Sequence, residues 1–217
     1  MTAAAAALIV IAKAPVPGRS KTRLCPPCTP GQAAALADAA LRDTLAAALA
    51  APAARRILAL DGAPGPWLPR GFDLVPQPAG GLDVRIAAAF AAAAGPALLI
   101  GMDTPHVPVP WLASGLRSIG SGGADAVLGP SPDGGYWALG LRRPDPRAVL
   151  GVPMSTARTG QAQRDRLRQL GLRCGALPAL RDVDRFPDAL AAAAAMAPAA
   201  SFPRAVADLG AGREAAA

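Results

Sequence analysis

A chain of 217 residues is long enough to bury one sizeable core and does not require two. Its 22 Lys and Arg against 15 Asp and Glu give a formal charge of +7, which favours an anionic partner; with aromatics at only 4% and no long basic run, a small phosphorylated ligand accounts for that charge better than nucleic acid. No apolar run reaches the roughly 18 residues of a membrane span, and three cysteines, an odd number, argue against a disulfide framework and for a reducing cytoplasm.

The first element is the apolar run 8–12, Leu-Ile-Val-Ile-Ala, which predicts a strand buried on both faces, as in a parallel sheet. Residues 3–12 superficially resemble a signal segment ending in Ala12-Lys13-Ala14, yet no Lys or Arg precedes them, so the strand reading is preferred. The strand delivers the chain into Lys13-Ala-Pro-Val-Pro-Gly18-Arg-Ser-Lys21-Thr-Arg23, a loop with four cations in eleven residues. Its prolines and glycine stop the strand, and Gly18 allows backbone amides to approach an anion while Lys21 and Arg23 supply charge-assisted bonds to phosphate oxygens. Neither a Walker A loop nor G-x-G-x-x-G is present. A plain solvated basic loop is the alternative.

Cys25-Pro-Pro-Cys28 follows. A C-x-x-C pair can serve zinc or redox chemistry, but zinc needs about four ligands and the chain offers only Cys174 and His106 besides, so thiols incidental to a Pro-rich turn are the default. Residues 30–50 predict an Ala/Leu helix, 56–60 a second strand ending at the Asp61-Gly62 turn, and 72–75 a short third strand. Gln77-Pro-Ala-Gly80-Gly-Leu-Asp-Val-Arg85 opens a helix that runs to 94; its paired glycines could hold a nucleotide at the helix N-terminus or simply be flexible.

The stretch 97–105, Ala-Leu-Leu-Ile-Gly-Met-Asp-Thr-Pro, predicts a central strand that ends at a single carboxylate, Asp103. Open α/β sheets place ligands at that end of a strand, and a carboxylate there suits a hard divalent cation; a turn-capping or helix-capping Asp is the alternative. A helix over 111–119 follows, with the sole histidine, His106, expected at the surface or behind the site. Residues 124–130 and 136–141 predict two strands joined by Ser131-Pro-Asp133-Gly134-Gly135, a hairpin signal that also brings Asp133 and Tyr136 beside the anion site. Residues 142–153 read as a connector, 155–170 as a basic helix, 172–177 as a last strand and 187–197 as a closing helix. Asp182-Val-Asp184, just before that helix, offers further carboxylates for a metal or a cap. The tail from 198 is expected to be mobile.

Strands alternating with helices define an α/β chain with a mainly parallel sheet. In order, Lys13 to Leu24, Gly101-Met-Asp-Thr-Pro105, Gly129-Pro-Ser-Pro-Asp-Gly-Gly-Tyr136, Ser155-Thr156 and Asp182-Val-Asp184 resemble the DUF2064 family. That family is bacterial, belongs to the GT-A (nucleotide-diphospho-sugar transferase) superfamily, and is similar to the 2-phospholactate guanylyltransferase and molybdenum-cofactor nucleotidyltransferase families. The resemblance implies a GT-A-like, Rossmann-like three-layer αβα sandwich over residues 1–197 as one catalytic domain. It implies nucleotide contacts from Ala12, Lys13, Gly18, Lys21, Arg23, Gln77, Gly80 and Arg85, and a catalytic set of Lys21, Arg23 and Asp103. Mg²⁺ or Mn²⁺ would be held by Asp103 with Asp182 or Asp184, and the acceptor would face Asp133, Gly134, Gly135, Tyr136, Ser155 and Thr156. Partners are then a nucleoside triphosphate or an NDP-sugar with a small anionic acceptor, without nucleic acid or membrane, in a cytoplasmic protein that could pair as a homodimer. Leu82-Asp83-Val-Arg85 and Met154 depart from the family pattern on the acceptor side. Nucleotidyl transfer from an NTP to a phosphorylated or phosphonate acceptor is the first expectation, glycosyl transfer the second, and non-catalytic nucleotide binding the third.

Overall fold

The computed structural model describes residues 6–121 and 123–214. The first residues of the signal-like stretch and the last three of the expected tail lie outside them.

β1 (Ala7–Lys13) is flanked by β2 (Arg55–Asp61) and β4 (Ala97–Gly101), both parallel to it, and β3 (Asp73–Pro76) extends the sheet beyond β2. The hairpin of β5 (Ala126–Pro130) and β6 (Tyr136–Leu141) inserts β6 antiparallel against β4, and β7 (Cys174–Ala176) pairs parallel with β5. The seven strands therefore run in the order β3-β2-β1-β4-β6-β5-β7. Leu8, Ile9 and Val10 are completely buried, as the unbroken β-branched run requires of a strand covered on both faces.

Two helix layers cover the sheet. α1 (Pro30–Ala50) and α3 (Val109–Gly120) pack Leu41, Leu45, Leu112 and Leu116 against Leu8, Val10 and Leu98. On the other face α2 (Leu82–Ala93) and α4 (Thr159–Gln169) bring Ile86, Phe90 and Leu167 to Ile9, Ile57 and Leu99. This is the three-layer sandwich expected. α1 starts where its sequence says: Thr29 Oγ1 accepts from Gln32 N at 3.2 Å, Gln32 Oε1 accepts from Thr29 N at 2.8 Å, and Pro30 fills the first turn.

Two expectations fail. The basic helix begins at Thr159, four residues later than expected, because Ser155 takes a left-handed φ of 57° and Thr156 Oγ1 accepts from Arg158 N, winding 155–158 into a turn. The tail after 197 is not a mobile extension of α5 (Phe186–Ala194): it forms α6 (Ser201–Glu214), laid along α1. Asp43 of α1 accepts from the amides of Ser201 and Phe202 at 3.0 and 2.7 Å, satisfying the first N–H groups of the new helix, and Phe202 is completely buried beside Leu36 and Ala40. Cys28 is buried in this same cluster, and no disulfide joins it to Cys25. None of the helices among the described residues is long and apolar enough to cross a membrane.

Candidate active site

Register aligns the strand ends that build the site. Lys13 stands opposite Asp61, and Ile11 opposite Gly101, so β1, β2 and β4 all stop at one edge, where β6, running the other way, begins with Tyr136. A cleft of about 660 Å³ opens along that edge.

On one flank the basic loop folds back over the end of β4. Lys21, in the left-handed region at φ 53°, sets its ammonium 2.6 Å from Asp103 Oδ1 and donates to the carbonyl of Val183. Arg23 lies 2.8 Å from Asp184 Oδ2, and the hydrogen bond and charge of that carboxylate raise its guanidinium above the ordinary value. Val183 N in turn donates to the carbonyl of Asp103 at 2.8 Å, so the 182–184 segment is fastened to the end of β4. Burial pushes the Asp182 carboxyl above its ordinary range, and the nearby charges of Asp133 and Asp103 push the same way. Behind Lys21 a side pocket of about 240 Å³ is lined by Lys13, Arg19, Lys21 and Arg23 with Asp103 and Asp184.

At the β1–β2 end, Gln77 Nε2 donates to the carbonyls of Ala12 and Ala59, both at 2.8 Å. Arg85 pairs with Asp61 at 2.9 Å and donates to the Gly80 carbonyl, while Lys13 Nζ approaches Asp61 to 4.0 Å. Asp61, read from the sequence only as a turn, is therefore the carboxylate that orients both cations. Nothing in an Asp-Gly pair distinguishes that role; only its register opposite Lys13 does.

The opposite flank is shaped by backbone. Asp133 Oδ1 accepts from Gly135 N at 2.8 Å, and Gly134 O accepts from Gly160 N at 2.8 Å, seating the hairpin loop on the start of α4. At Gly134, φ 90°, an added Cβ would stand 2.0 Å from the Ala157 carbonyl oxygen; at Gly160 it would stand 2.6 Å from the Gly135 carbonyl. Tyr136, Met154, Ser155 and Thr156 line the wall that results, and burial raises the Tyr136 phenol well above its ordinary value.

The structure thus brings Ala12, Lys13, Arg23, Gln77, Arg85, Asp103, Asp133, Gly135, Tyr136, Ser155, Thr156, Asp182 and Asp184 to one cleft, with Lys21 in the adjoining side pocket. Gly18, Gly80 and Gly134 line neither. Gly18 sits in a tight turn whose amides, Arg19 N and Ser20 N, bond back to Val16 O, so those donors do not face the cleft as the anion-loop reading expects. Gly80 acts through its carbonyl on Arg85, and Gly134 through its close approach to Ala157. Among the described residues no three His, Cys, Asp or Glu side chains gather closely enough to hold a metal by themselves, but the Asp182 carboxyl lies near enough to Asp103 for their charges to interact. Asp103 and Asp184 are each paired with a cation. His106 is outside the cleft, its Nδ1 buried without a partner and its pKa lowered by that burial.

Missed by the sequence reading were Asp61 and Thr104. Thr104, 2% exposed, lines the cleft beside Asp103, and its buried Oγ1 has no hydrogen-bond partner in the structure.

The three-layer sandwich, with its cleft at the carboxyl edge of the sheet, is a fold this chain shares with solved structures named as nucleotidyltransferases and as a proposed nucleotide-diphospho-sugar transferase. The chain belongs to the DUF2064 family, described as an uncharacterized protein conserved in bacteria, whose pattern matches residues 34–156. A protein from Desulfovibrio desulfuricans G20, whose name proposes a nucleotide-diphospho-sugar transferase, superposes with a TM-score of 0.84 at 23% identity, covering 94% of this chain and 95% of its own. The 2-C-methyl-D-erythritol 4-phosphate cytidylyltransferase of Thermus thermophilus gives 0.54 at 18% identity, over 88% and 98% of the two chains. CMP:2-keto-3-deoxy-manno-octonic acid synthetase, solved with CTP, gives 0.52 at 14%, over 86% and 95%. These likenesses establish the fold. No curated protein matches the sequence.

Proposed function

We propose that the chain is a divalent-metal-dependent nucleotidyltransferase, passing a nucleotidyl group from a nucleoside triphosphate to a small acceptor with release of pyrophosphate. One observation carries the reading. The main cleft is lined by five carboxylates, Asp61, Asp103, Asp133, Asp182 and Asp184, against three cations, and it shares Lys13, Arg23, Asp103 and Asp184 with a side pocket to which Arg19 and Lys21 add two further cations. A surface with excess carboxylate at its centre repels a bare nucleotide and accepts one that arrives with a cation, while the side pocket supplies positive charge for a terminal pyrophosphate.

The donor set fits a hard cation. Asp103 and Asp182 are oxygen ligands of the kind Mg²⁺ takes, and the unfavourable crowding of Asp182 by Asp133 and Asp103 is what a cation relieves. When bound, such an ion supplies charge stabilisation at the reacting phosphate. The remaining work falls to the chain. Gln77 and Arg85 bound the β1–β2 end where the nucleoside fits; Lys21 and Arg23 neutralise the departing pyrophosphate; the wall of Tyr136, Ser155 and Thr156 orients the acceptor. The acceptor hydroxyl attacks the α-phosphorus, forming the new O–P bond as the bond to pyrophosphate breaks, and its proton passes to Asp133, the carboxylate on that wall, or to water.

Among the described residues from Asp133 to Tyr136 and from Met154 to Thr156 that line the acceptor wall, the charged side chain is Asp133. That favours an acceptor bearing hydroxyls over the phosphorylated or phosphonate acceptor expected by resemblance. Glycosyl transfer from an NDP-sugar is the second reading, favoured by the name of the Desulfovibrio desulfuricans protein. A thermal-shift panel of nucleoside triphosphates and NDP-sugars, each with and without Mg²⁺, separates the two. A ligand at about 100 times its Kd adds about 2.7 kcal/mol of stability. Stabilisation by one triphosphate with Mg²⁺ is expected; stabilisation by NDP-sugars alone supports glycosyl transfer instead.

A further inference from the structure

The loop cation nearest the central carboxylate is oddly placed for a phosphate ligand. Lys21 is spent on protein groups: its ammonium is 2.6 Å from Asp103 Oδ1 and donates to Val183 O, and its side chain is only 10% exposed against 49% for that of Asp103. The residue is also held at φ 53°, a conformation that a non-glycine residue adopts at a cost. An ammonium with three donors and a single charge, bonded to a carboxylate and a carbonyl, occupies the kind of oxygen-lined position that a hard cation takes.

We infer that Lys21 is the resident counter-ion of Asp103 and yields that place to a divalent cation when a phosphate chain in the side pocket draws its ammonium away, so that cation and nucleotide bind cooperatively. The inference rests on the metal-dependent reading above. Three observations support the exchange. Asp103 lines both the main cleft and the side pocket, whereas Lys21 lines only the side pocket, so the carboxylate faces the cleft while the ammonium reaches it from behind. The backbone of Asp103 is fixed by Val183 N at 2.8 Å, which anchors the carboxylate's end of the pair at the rim of the cleft. Independently of the ion pair, Thr104 lines the same cleft next to Asp103, and its buried hydroxyl has no hydrogen-bond partner in the structure. With the ammonium in place, two cations would crowd Asp103, so metal alone binds weakly; with anionic phosphate present, Lys21 gains a new partner and the competition ends.

The test is a titration with Mn²⁺ followed by electron paramagnetic resonance, which separates free, pyrophosphate-bound and protein-bound ion. It is run on the wild-type chain, Lys21→Met and Lys21→Arg, after thermal unfolding has checked that each is folded. Lys21→Met is expected to bind Mn²⁺ about tenfold or more tightly than wild type, and Lys21→Arg to stay near wild type. In wild type, inorganic pyrophosphate should raise the protein-bound fraction above that set by pyrophosphate-bound Mn²⁺ in solution, an arm that stands even where Lys21→Met does not fold. Equal Mn²⁺ affinity in wild type and Lys21→Met, or no increase with pyrophosphate in wild type, overturns the exchange while leaving a metal-dependent enzyme intact. Absence of Mn²⁺ binding to every form, with pyrophosphate and without, overturns both the exchange and the metal-dependent reading.

Discussion

The two flanks of the cleft are held in opposite ways. The phosphate flank is assembled from long charged side chains meeting across the chain, Lys21 with Asp103 and Arg23 with Asp184, over a single backbone tie from Val183 to Asp103. The acceptor flank is assembled from backbone on backbone, Gly134 against Ala157 and Gly160 against Gly135, at distances that leave no room for a Cβ. The first is exchangeable, since a ligand's charges can replace each pairing; the second is a mould whose shape the ligand must match. Chemistry should therefore be sensitive to charge on one side, and stability to volume on the other.

The largest expected effect is Asp103→Asn. Loss of that carboxylate should lower pyrophosphate release by about 10²-fold or more, because it removes charge stabilisation in the transition state. Turnover at the wild-type rate would remove Asp103 from the mechanism and undo the distinction between the flanks. Next is Gly134→Ala. A methyl group 2.0 Å from the Ala157 oxygen, at a φ of 90° that alanine avoids, should destabilise the fold by about 2–3 kcal/mol in a denaturant titration. An unchanged midpoint would show that the hairpin and α4 can separate, and that the acceptor wall is no mould.

Asp182→Asn should act with the opposite sign. Because the folded-state pKa is raised above the ordinary 3.8, the folded chain holds its proton longer, and stability falls as pH rises from that value through the raised one. In metal-free buffer the Asn variant should therefore match wild type at low pH and melt higher at neutral pH. A lower melting temperature at neutral pH would mean that Asp182 makes a favourable interaction in the free protein. The smallest effect is expected of Arg23→Gln. The Arg23 and Asp184 side chains are 69% and 45% exposed, so stability should change by less than about 1 kcal/mol, while the affinity for inorganic pyrophosphate weakens and loses part of its salt dependence. A large drop in stability would make that ion pair structural rather than exchangeable.

Charge shows where composition misleads. The net charge of +7 favours an anionic partner, but some of its arginines are internal fastenings: Arg56 donates to the carbonyls of Ala48, Leu49 and Ala51 at the end of α1, and Arg142 to those of Ser118, Gly120 and Ala124 at and just beyond the end of α3. The cleft itself carries more carboxylates than cations. A net charge sums over the chain and says nothing of which charges face one another.

The sequence by itself determined the α/β order, the strand that ends at Asp103, the start of α1 near residue 30, and the cationic loop that follows β1. These follow from patterns within a few residues: apolar runs, cations, prolines and glycines. Only the tertiary structure decided that Lys21 answers Asp103, that Asp61 orients Arg85, that Gly134 serves packing and not a ligand, and that Ser201–Glu214 forms a helix capped by Asp43. Each of those depends on two segments far apart in sequence meeting at a distance of a few ångströms, and such a meeting leaves no periodicity in either segment to be read.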